Sequence, residues 1–319
     1  MAIVVTEESE TPPSLQLVER MAFGWWNTSL SPIGKNRADD HHKEIAAKVV
    51  KSLIDDFRID CLGLGEVTNT DLSSMMDACD TKTLGVYEGT LKRGRLQFDT
   101  GVIYNIARLA IADSFSTVST HGERNYKIAN RIDFVSLSDG LPLHFFVSHW
   151  PSRGTNEETL LSRKTIATRL KDQINAIDER SPGAAVIVMG DFNDEPFDES
   201  ISWHLLATRD RQLARTKGGY LYNPFWRQLG ESQPHAPSFP KRGAAGSCFY
   251  KGATDTRWRT YDQILVSSAF LGNTNWHLNE AETTIVRTEF LIDLVQGDKL
   301  YFDHLPILTA IERFVTRRD

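Results

Sequence analysis

Eight polar residues stand where apolar, strand-like runs begin or end. Asn27 follows MAFGWW, Glu66 follows CLGLG, His149 ends LHFFVSH, Asp191 and Asn193 follow AVIVMG, Asp262 precedes QILVS, and Asp303-His304 precedes LPILTAI. Between antiparallel neighbours the start of one strand lies beside the end of another, so a single sheet edge can collect the whole set. It comprises four carboxylates, two imidazoles and two amides, with no Cys. Hard oxygen ligands therefore dominate, which points to magnesium, or manganese as its substitute, rather than zinc. Magnesium keeps several waters and takes phosphate oxygens as ligands, and a His beside a carboxylate holds a proton near neutral pH. That combination suits phosphoester hydrolysis.

The elements that must position these residues alternate between short apolar runs and helical patterns, which is the signature of an α/β fold. Over 39–58, Ile45, Val49, Leu53 and Phe57 recur every four residues beside Ala46, Val50 and Ile54, giving one apolar stripe. A second helix near 157–179 places Ile166, Leu170, Ile174 and Ile177 on one side, after a polar start at Thr155-Asn156 that can cap it. The runs at 102–106, 132–137, 143–149, 185–192, 263–267 and 306–311 have strand length. Ser138-Asp139-Gly140 reads as a hairpin turn between two of them, so the sheets are expected to be mixed. Residues 1–20, acidic and broken by Pro12 and Pro13, read as a flexible leader before a single catalytic domain over 21–319. The stretch near 209–260 reads as a loop-rich insertion, and its ten Lys and Arg make it the expected substrate wall.

With 319 residues, 40% apolar and 24% charged, and only 12 Pro and 21 Gly, the chain is near the globular average. Disordered, collagen-like and coiled-coil classes are excluded. No apolar run approaches the roughly 18 residues of a membrane span, and the acidic start does not read as a secretory signal. A cytoplasmic location without a membrane anchor is expected, with no obligate protein partner evident. Cys61, Cys79 and Cys248 are odd in number and far apart, which suggests neither a disulfide framework nor a thiolate zinc site. The net charge of −6 gives no global attraction to polyphosphates, so a nucleic acid would need a local basic groove. Neither a GxxxxGK[ST] loop nor a GxSxG elbow is present, which sets aside NTPase, kinase and serine-hydrolase chemistry. Asp39-Asp40-His41-His42 reads as a helix start rather than a metal cluster. Trp25, Trp26 and Phe146 read as core, whereas Trp150, Trp226 and Trp258 read equally as base-stacking or loop-packing groups.

Taken together, WWN at 25–27, LGLGE at 62–66, SHWPSR at 148–153, GDFN at 190–193, YDQILVS at 261–267 and DHLP at 303–306 resemble the ordered motifs of the endonuclease/exonuclease/phosphatase superfamily. The resemblance runs from about residue 21 to 313 and implies a four-layer α/β/β/α sandwich of two packed mixed sheets flanked by helices. It further implies that Glu66, assisted by Asn27 and Asp303, holds magnesium, and that Asp191 and Asn193 position the attacking water. His304, oriented by Asp262, would act as general base or as a donor to the phosphorus centre. A His at 149 resembles the deoxyribonuclease-like, sphingomyelinase-like and inositol-phosphatase-like branches, whereas the abasic-site repair branch carries Tyr. His149 would then contact phosphate or assist the leaving group. Arg153 would clamp a phosphate oxygen, and Arg124 and Arg131 compete for a second such place. The expected activity is a nuclease on DNA or RNA. The alternative is a phosphatase or phosphodiesterase of a small metabolite, inositol phosphate or lipid headgroup, and an inactive binding scaffold is the third reading.

Overall fold

Apolar patterns of period two and of period near four divide the chain into strands and helices. The computed structural model describes residues 15–31, 37–79, 82–93, 96–122, 124–153, 157–232, 237 and 243–316. In chain order its first half contains β1 (Leu15–Asn27), α1 (Asp40–Asp55), β2 (Cys61–Gly65), α2 (Asn69–Ala78), β3 (Leu84–Tyr87), β4 (Lys92–Arg93), β5 (Leu96–Gln97), β6 (Gly101–Asn105), β7 (Leu109–His121), β8 (Arg124–Ser136), β9 (Pro142–His149) and α3 (Glu157–Arg180). There follow β10 (Ala185–Asp191), β11 (Ala207–Thr208), α4 (Arg211–Thr216), β12 (Leu221–Tyr222), β13 (Cys248–Phe249), β14 (Trp258–Arg259), β15 (Asp262–Val266), β16 (Trp276–Ile285), α5 (Glu289–Gln296) and β17 (Ile307–Thr316).

Two large mixed sheets result, a six-stranded one ordered β16-β17-β1-β2-β6-β3 and a seven-stranded one ordered β11-β12-β15-β10-β9-β8-β7. β1 and β2 run parallel, as do β9 and β10. β17 beside β1 and β15 beside β10 are antiparallel to those pairs. All seven residues of β10 are buried, which is why AVIVMGD reads as a continuous apolar run rather than an alternating one. Phe23, Trp25, Phe145, Val147, Ile187 and Met189 belong to the main core. Phe146, Val186 and Val188 turn the other way, against Ile166, Leu170 and Ile174 of α3. Each such side chain contributes roughly 1.5–3 kcal/mol on full burial. With α1 and α2 over the six-stranded sheet, the layers are α/β/β/α. No helix among the described residues is long and apolar enough to cross a membrane.

The expected caps and turns show the local chemistry. Asp39 accepts from His42 N at 2.8 Å and caps α1, and Gly140 takes a positive φ of 74° in the hairpin between β8 and β9. One expectation requires correction. The leader does not extend to residue 20: β1 begins at Leu15, and Leu15–Arg20 pair with β17 through the ladder Thr316–Glu312. This pairing is made by backbone hydrogen bonds to a strand about 290 residues away, with Leu17 and Val18 still exposed, so apolar patterning does not announce it. The loop-rich 209–260 stretch also carries short regular elements. It contains α4, β12, a 3-10 turn over Pro224–Gln228 and the β13–β14 hairpin, and these short elements are fixed by tertiary contacts rather than by periodicity. The Thr155-Asn156 cap, residues 1–14 and Lys241-Arg242 lie outside the described residues.

Candidate active site

Strand register assembles the centre. Asp191 at the end of β10 stands opposite His149 of β9 on one side and opposite Asp262 of β15 on the other. In the facing sheet Asn27 ends β1 opposite Gly65 of β2, immediately before Glu66. Gly190 makes the first row feasible, because a Cβ there would lie 1.9 Å from the Ser148 carbonyl oxygen. Asp303 and His304 precede β17 and are held by the β13 backbone, with Phe249 N donating to Asp303 O and Leu305 N to Ser247 O.

Asp191 Oδ2 is the focus. Asn27 Nδ2 donates to it at 3.0 Å, and the Nε2 atoms of His304 and His149 lie 3.7 and 3.9 Å away. Each imidazole has its Nδ1 on another carboxylate: His304 on Asp262 Oδ2 at 2.7 Å, His149 on Asp99 Oδ2 at 2.9 Å. This fixes both rings with Nε2 towards the centre. Asp262 also accepts from Trp25 Nε1 at 2.7 Å and Ser247 Oγ at 2.6 Å, and Asp99 accepts from Lys127 Nζ at 2.5 Å. Burial opposes charge on His304, but Asp262, with Cys248, Asp303 and Asp191 around it, lifts its pKa well above the usual imidazole value. His149 follows the same balance: burial lowers it, and the Asp99 charge and hydrogen bond bring it out raised. Burial pushes the Asp191 carboxyl up, assisted by the Asp262 charge and opposed by both imidazoles and the Asn193 N–H. Burial also pushes the Cys248 thiol beside His304 up to about 11, so a Cys–His nucleophile is not formed.

A third group of acids lies beside this focus. Glu66 Oε1 accepts from Asn27 Nδ2 at 3.2 Å, and Oε2 accepts from Ser31 Oγ at 2.9 Å and Ser31 N at 3.1 Å. Ser29 Oγ donates to Asp303 Oδ1, and Ser29 N donates to Asn27 Oδ1 at 3.0 Å. Ser29, Ser31, Glu66 and Asn193 all adopt positive φ, between 47° and 57°. Such conformations cost of order 1–3 kcal/mol each and gather where function over-determines the backbone. Among the described residues no Lys or Arg pairs with Glu66, Asp191, Asp262 or Asp303, so the cationic groups beside these four carboxylates are the two imidazoles. This donor set fits a divalent hard cation. Asp191, Asp262 and His304 place ligand atoms within 4.8 Å of one another, but Asp262 already serves three donors at zero exposure, which marks it as the group that orients His304.

All eight motif residues thus meet at one edge, Asn193 through its N–H on Asp191 Oδ1 at 2.8 Å with its Nδ2 donating to Trp150 O at 3.1 Å, whereas the three arginines divide. Arg153 Nε donates to Asn193 O and its Nη2 to Asp194 Oδ1, both at 3.0 Å, and it also bonds Asp198. It braces the turn after β10. Arg131 pairs with Asp133 at 2.7 Å beside His144, on the face packed against Phe146, and exposed Arg124 pairs with Glu158 at the start of α3. Neither is bonded to the central group. Asp99, Lys127, Ser29 and Ser31 escape motif reading: FDTG and NTSLS look like ordinary turns. A groove of about 380 Å³ adjoins His149 and Glu66, lined by Leu96, Tyr126, Lys127 and Trp150 among others.

A family profile described as the endonuclease/exonuclease/phosphatase family matches residues 29–300. A search of curated proteins gives no match. Among solved structures, the human Nocturnin catalytic domain with bound sulfate anion superposes with a TM-score of 0.59 at 14% identity, covering 95% of this chain and 98% of that one. D. rerio TDP2 complexed with single strand DNA product gives 0.57 at 15% identity, covering 92% and 99%. A mannosyl-6-phosphatase of Bacteroides thetaiotaomicron gives 0.57 at 14%, again covering 92% and 99%. At these identities the structural likeness is one of fold. Together with the profile match over most of its length, the two-sheet architecture leads to one conclusion: this chain belongs to the endonuclease/exonuclease/phosphatase family, whose members hydrolyse phosphoester bonds and generally use a divalent metal.

Proposed function

We propose that this protein is a magnesium-dependent phosphodiester hydrolase that cuts DNA or RNA strands. The observation that carries the reading is the convergence of two carboxylate-backed imidazoles on Asp191. Hydrolysis of a diester needs a proton taken from water and a proton given to the leaving oxygen, and two oriented imidazoles can divide those tasks. Glu66 and Asp303, with Asn27 alongside, would hold magnesium, manganese being the substitute; when bound, that cation neutralises charge developing on the phosphate. Asp191 and Asn193 orient the water, His304 acts on the proton at the attacking side or donates to a phosphate oxygen, and His149 serves the leaving oxygen. A His at 149 supports a place in the His-bearing branch of the family. Strand binding is supported by exposed cations in two hairpins next to the site: Lys92, opposite the groove residue Gln97, and Lys251 and Arg257, in the hairpin whose Cys248 bridges to His304.

A second reading, a phosphatase of a small phosphorylated metabolite, is favoured by a specific observation. Arg211 and Arg227 of the basic stretch both pair with Glu280, and Arg259 pairs with Asp255, so three of its cations are neutralised by carboxylates of this chain. The deciding experiment offers plasmid DNA, single-stranded DNA, RNA, bis-p-nitrophenyl phosphate and p-nitrophenyl phosphate with magnesium, manganese or EDTA. Metal-dependent cleavage of polymers supports the nuclease. Hydrolysis confined to the small esters moves the assignment to the second reading, and silence on every substrate points to a missing substrate or partner.

A further inference from the structure

The chain leaving the centre forms a rigid display. After Asn193 it reads Asp194-Glu195-Pro196-Phe197-Asp198. Asp198 N donates to Glu195 O at 2.9 Å and Glu195 N donates to Asp198 Oδ2 at 2.7 Å, so Pro196 and Phe197 occupy the two corners of a tight turn. Its base is pinned by Arg153 and by Arg163, which is 4% exposed and bonds Asp194 Oδ2 at 2.9 Å. On this fixed support Phe197 presents its ring to solvent at 55% exposure. The Trp226 ring, from the 3-10 turn, lies 6.2 Å away at 60°, and the Arg209 guanidinium sits 4.8 Å from the Trp226 ring centre. Unlike its neighbours Arg211 and Arg227, exposed Arg209 has no carboxylate partner among the described residues.

An exposed aromatic ring next to an unpaired, stacked guanidinium is the donor set of a nucleotide, with a π-face for the base and a planar cation for the phosphate. Phe197 follows Asn193 by four positions, which limits their Cα separation to roughly 14 Å. The platform is therefore within reach of a nucleotide adjoining the reacting phosphate. We infer that Phe197, with Trp226 and Arg209, binds an unpaired nucleobase of the substrate strand and the phosphate next to it. This rests on the strand-cutting reading above. Trp150, 1% exposed and packed on Phe192, takes no part, and Trp258 packs on Phe249.

The test uses the full-length protein with magnesium and a short single-stranded oligodeoxynucleotide, alongside a set of the same strand made abasic at one position at a time. Phe197→Ala and Phe197→Leu should raise KM on the intact strand about tenfold, within the range for losing one base–aromatic stack. On the one strand whose missing base is the stacked one, the ratio of variant to parent KM should shrink towards one. Arg209→Gln should raise KM on the intact and that abasic strand alike. A Phe197 effect equal on all strands, a fall in kcat with KM unmoved, or no effect overturns the platform and leaves the nuclease reading standing. No cleavage of any strand by the parent protein, with bis-p-nitrophenyl phosphate still hydrolysed, removes the nuclease reading and the platform with it.

Discussion

Asp99→Asn changes one charge in a buried trio without changing its volume. Asp99 is 4% exposed and accepts from His149 Nδ1 at 2.9 Å and from Lys127 Nζ at 2.5 Å. Burial works against its charge, yet the His149 and Lys127 charges and hydrogen bonds hold its carboxyl well below the usual carboxylate range. An amide offers one acceptor oxygen, so one donor loses its partner and Lys127 loses its counter-ion. Breaking a buried ion pair costs about 3–5 kcal/mol. Lys127 reaches solvent over 19% of its side chain, so we expect the lower end, about 3 kcal/mol at pH 6. The pH dependence has a definite sign. Because the folded-state pKa of His149 is raised, its protonated form stabilises the fold fully below the unfolded value near 6.5, and that contribution is lost as pH rises through the folded value. The cost of Asp99→Asn should therefore be larger at pH 6 than at pH 9, because the charge on His149 is lost as pH rises while the Lys127 pair and the neutral Nδ1–H bond persist. Activity should fall about a hundredfold in kcat, because the imidazole loses the group that fixes its orientation. Urea unfolding followed by tryptophan fluorescence at both pH values, with kcat measured across the same range, tests both parts. Equal stability loss at the two pH values, together with kcat within about twofold of the parent, would refute the claim that Asp99 holds and charges His149.

Two further outcomes follow from packing. Gly190→Ala should destabilise the protein by about 3 kcal/mol or more, since its methyl would meet the Ser148 carbonyl 1.9 Å away and push β9 from β10; a thermal melt within a degree or so of the parent would contradict this. Lys171, 5% exposed and donating to Gly219 O, has its pKa pushed down to about 8 by burial. A base with a depressed folded pKa costs stability at pH 7, and that cost fades as pH climbs from about 8 towards the unfolded value near 10.4. Lys171→Met should therefore reduce the gain in stability between pH 8 and 10, and an unchanged gain would show that the ammonium is not penalised.

What the sequence made legible is what is local. The strand-ending polar residues, the apolar stripe of α1 and the GDFN turn each carry their meaning within a few residues; register then aligns His149, Asp191 and Asp262, and Asn27 meets Asp191 from the facing sheet. Asp99 is different: its value depends on His149, 50 residues away, and on Lys127 in β8, and nothing in FDTG signals either partner. Arg153 illustrates the converse. Its place in SHWPSR suggests a phosphate contact, whereas in the folded chain its fork is engaged by Asn193 O, Asp194 and Asp198. The basic count over 209–260 likewise says nothing of Glu280, which lies in β16 and pairs with two of those cations.

The most direct test of the central claim is the magnesium-dependent single-turnover rate of the parent, His304→Ala and His304→Gln on the best substrate from the panel, with near-ultraviolet circular dichroism confirming folded protein. The account predicts that both folded variants lose at least about a thousandfold in rate, which the proton-handling role proposed for His304 requires. Folded variants that retain rates within about tenfold of the parent would contradict the assignment of the Asp262–His304 pair to the chemistry.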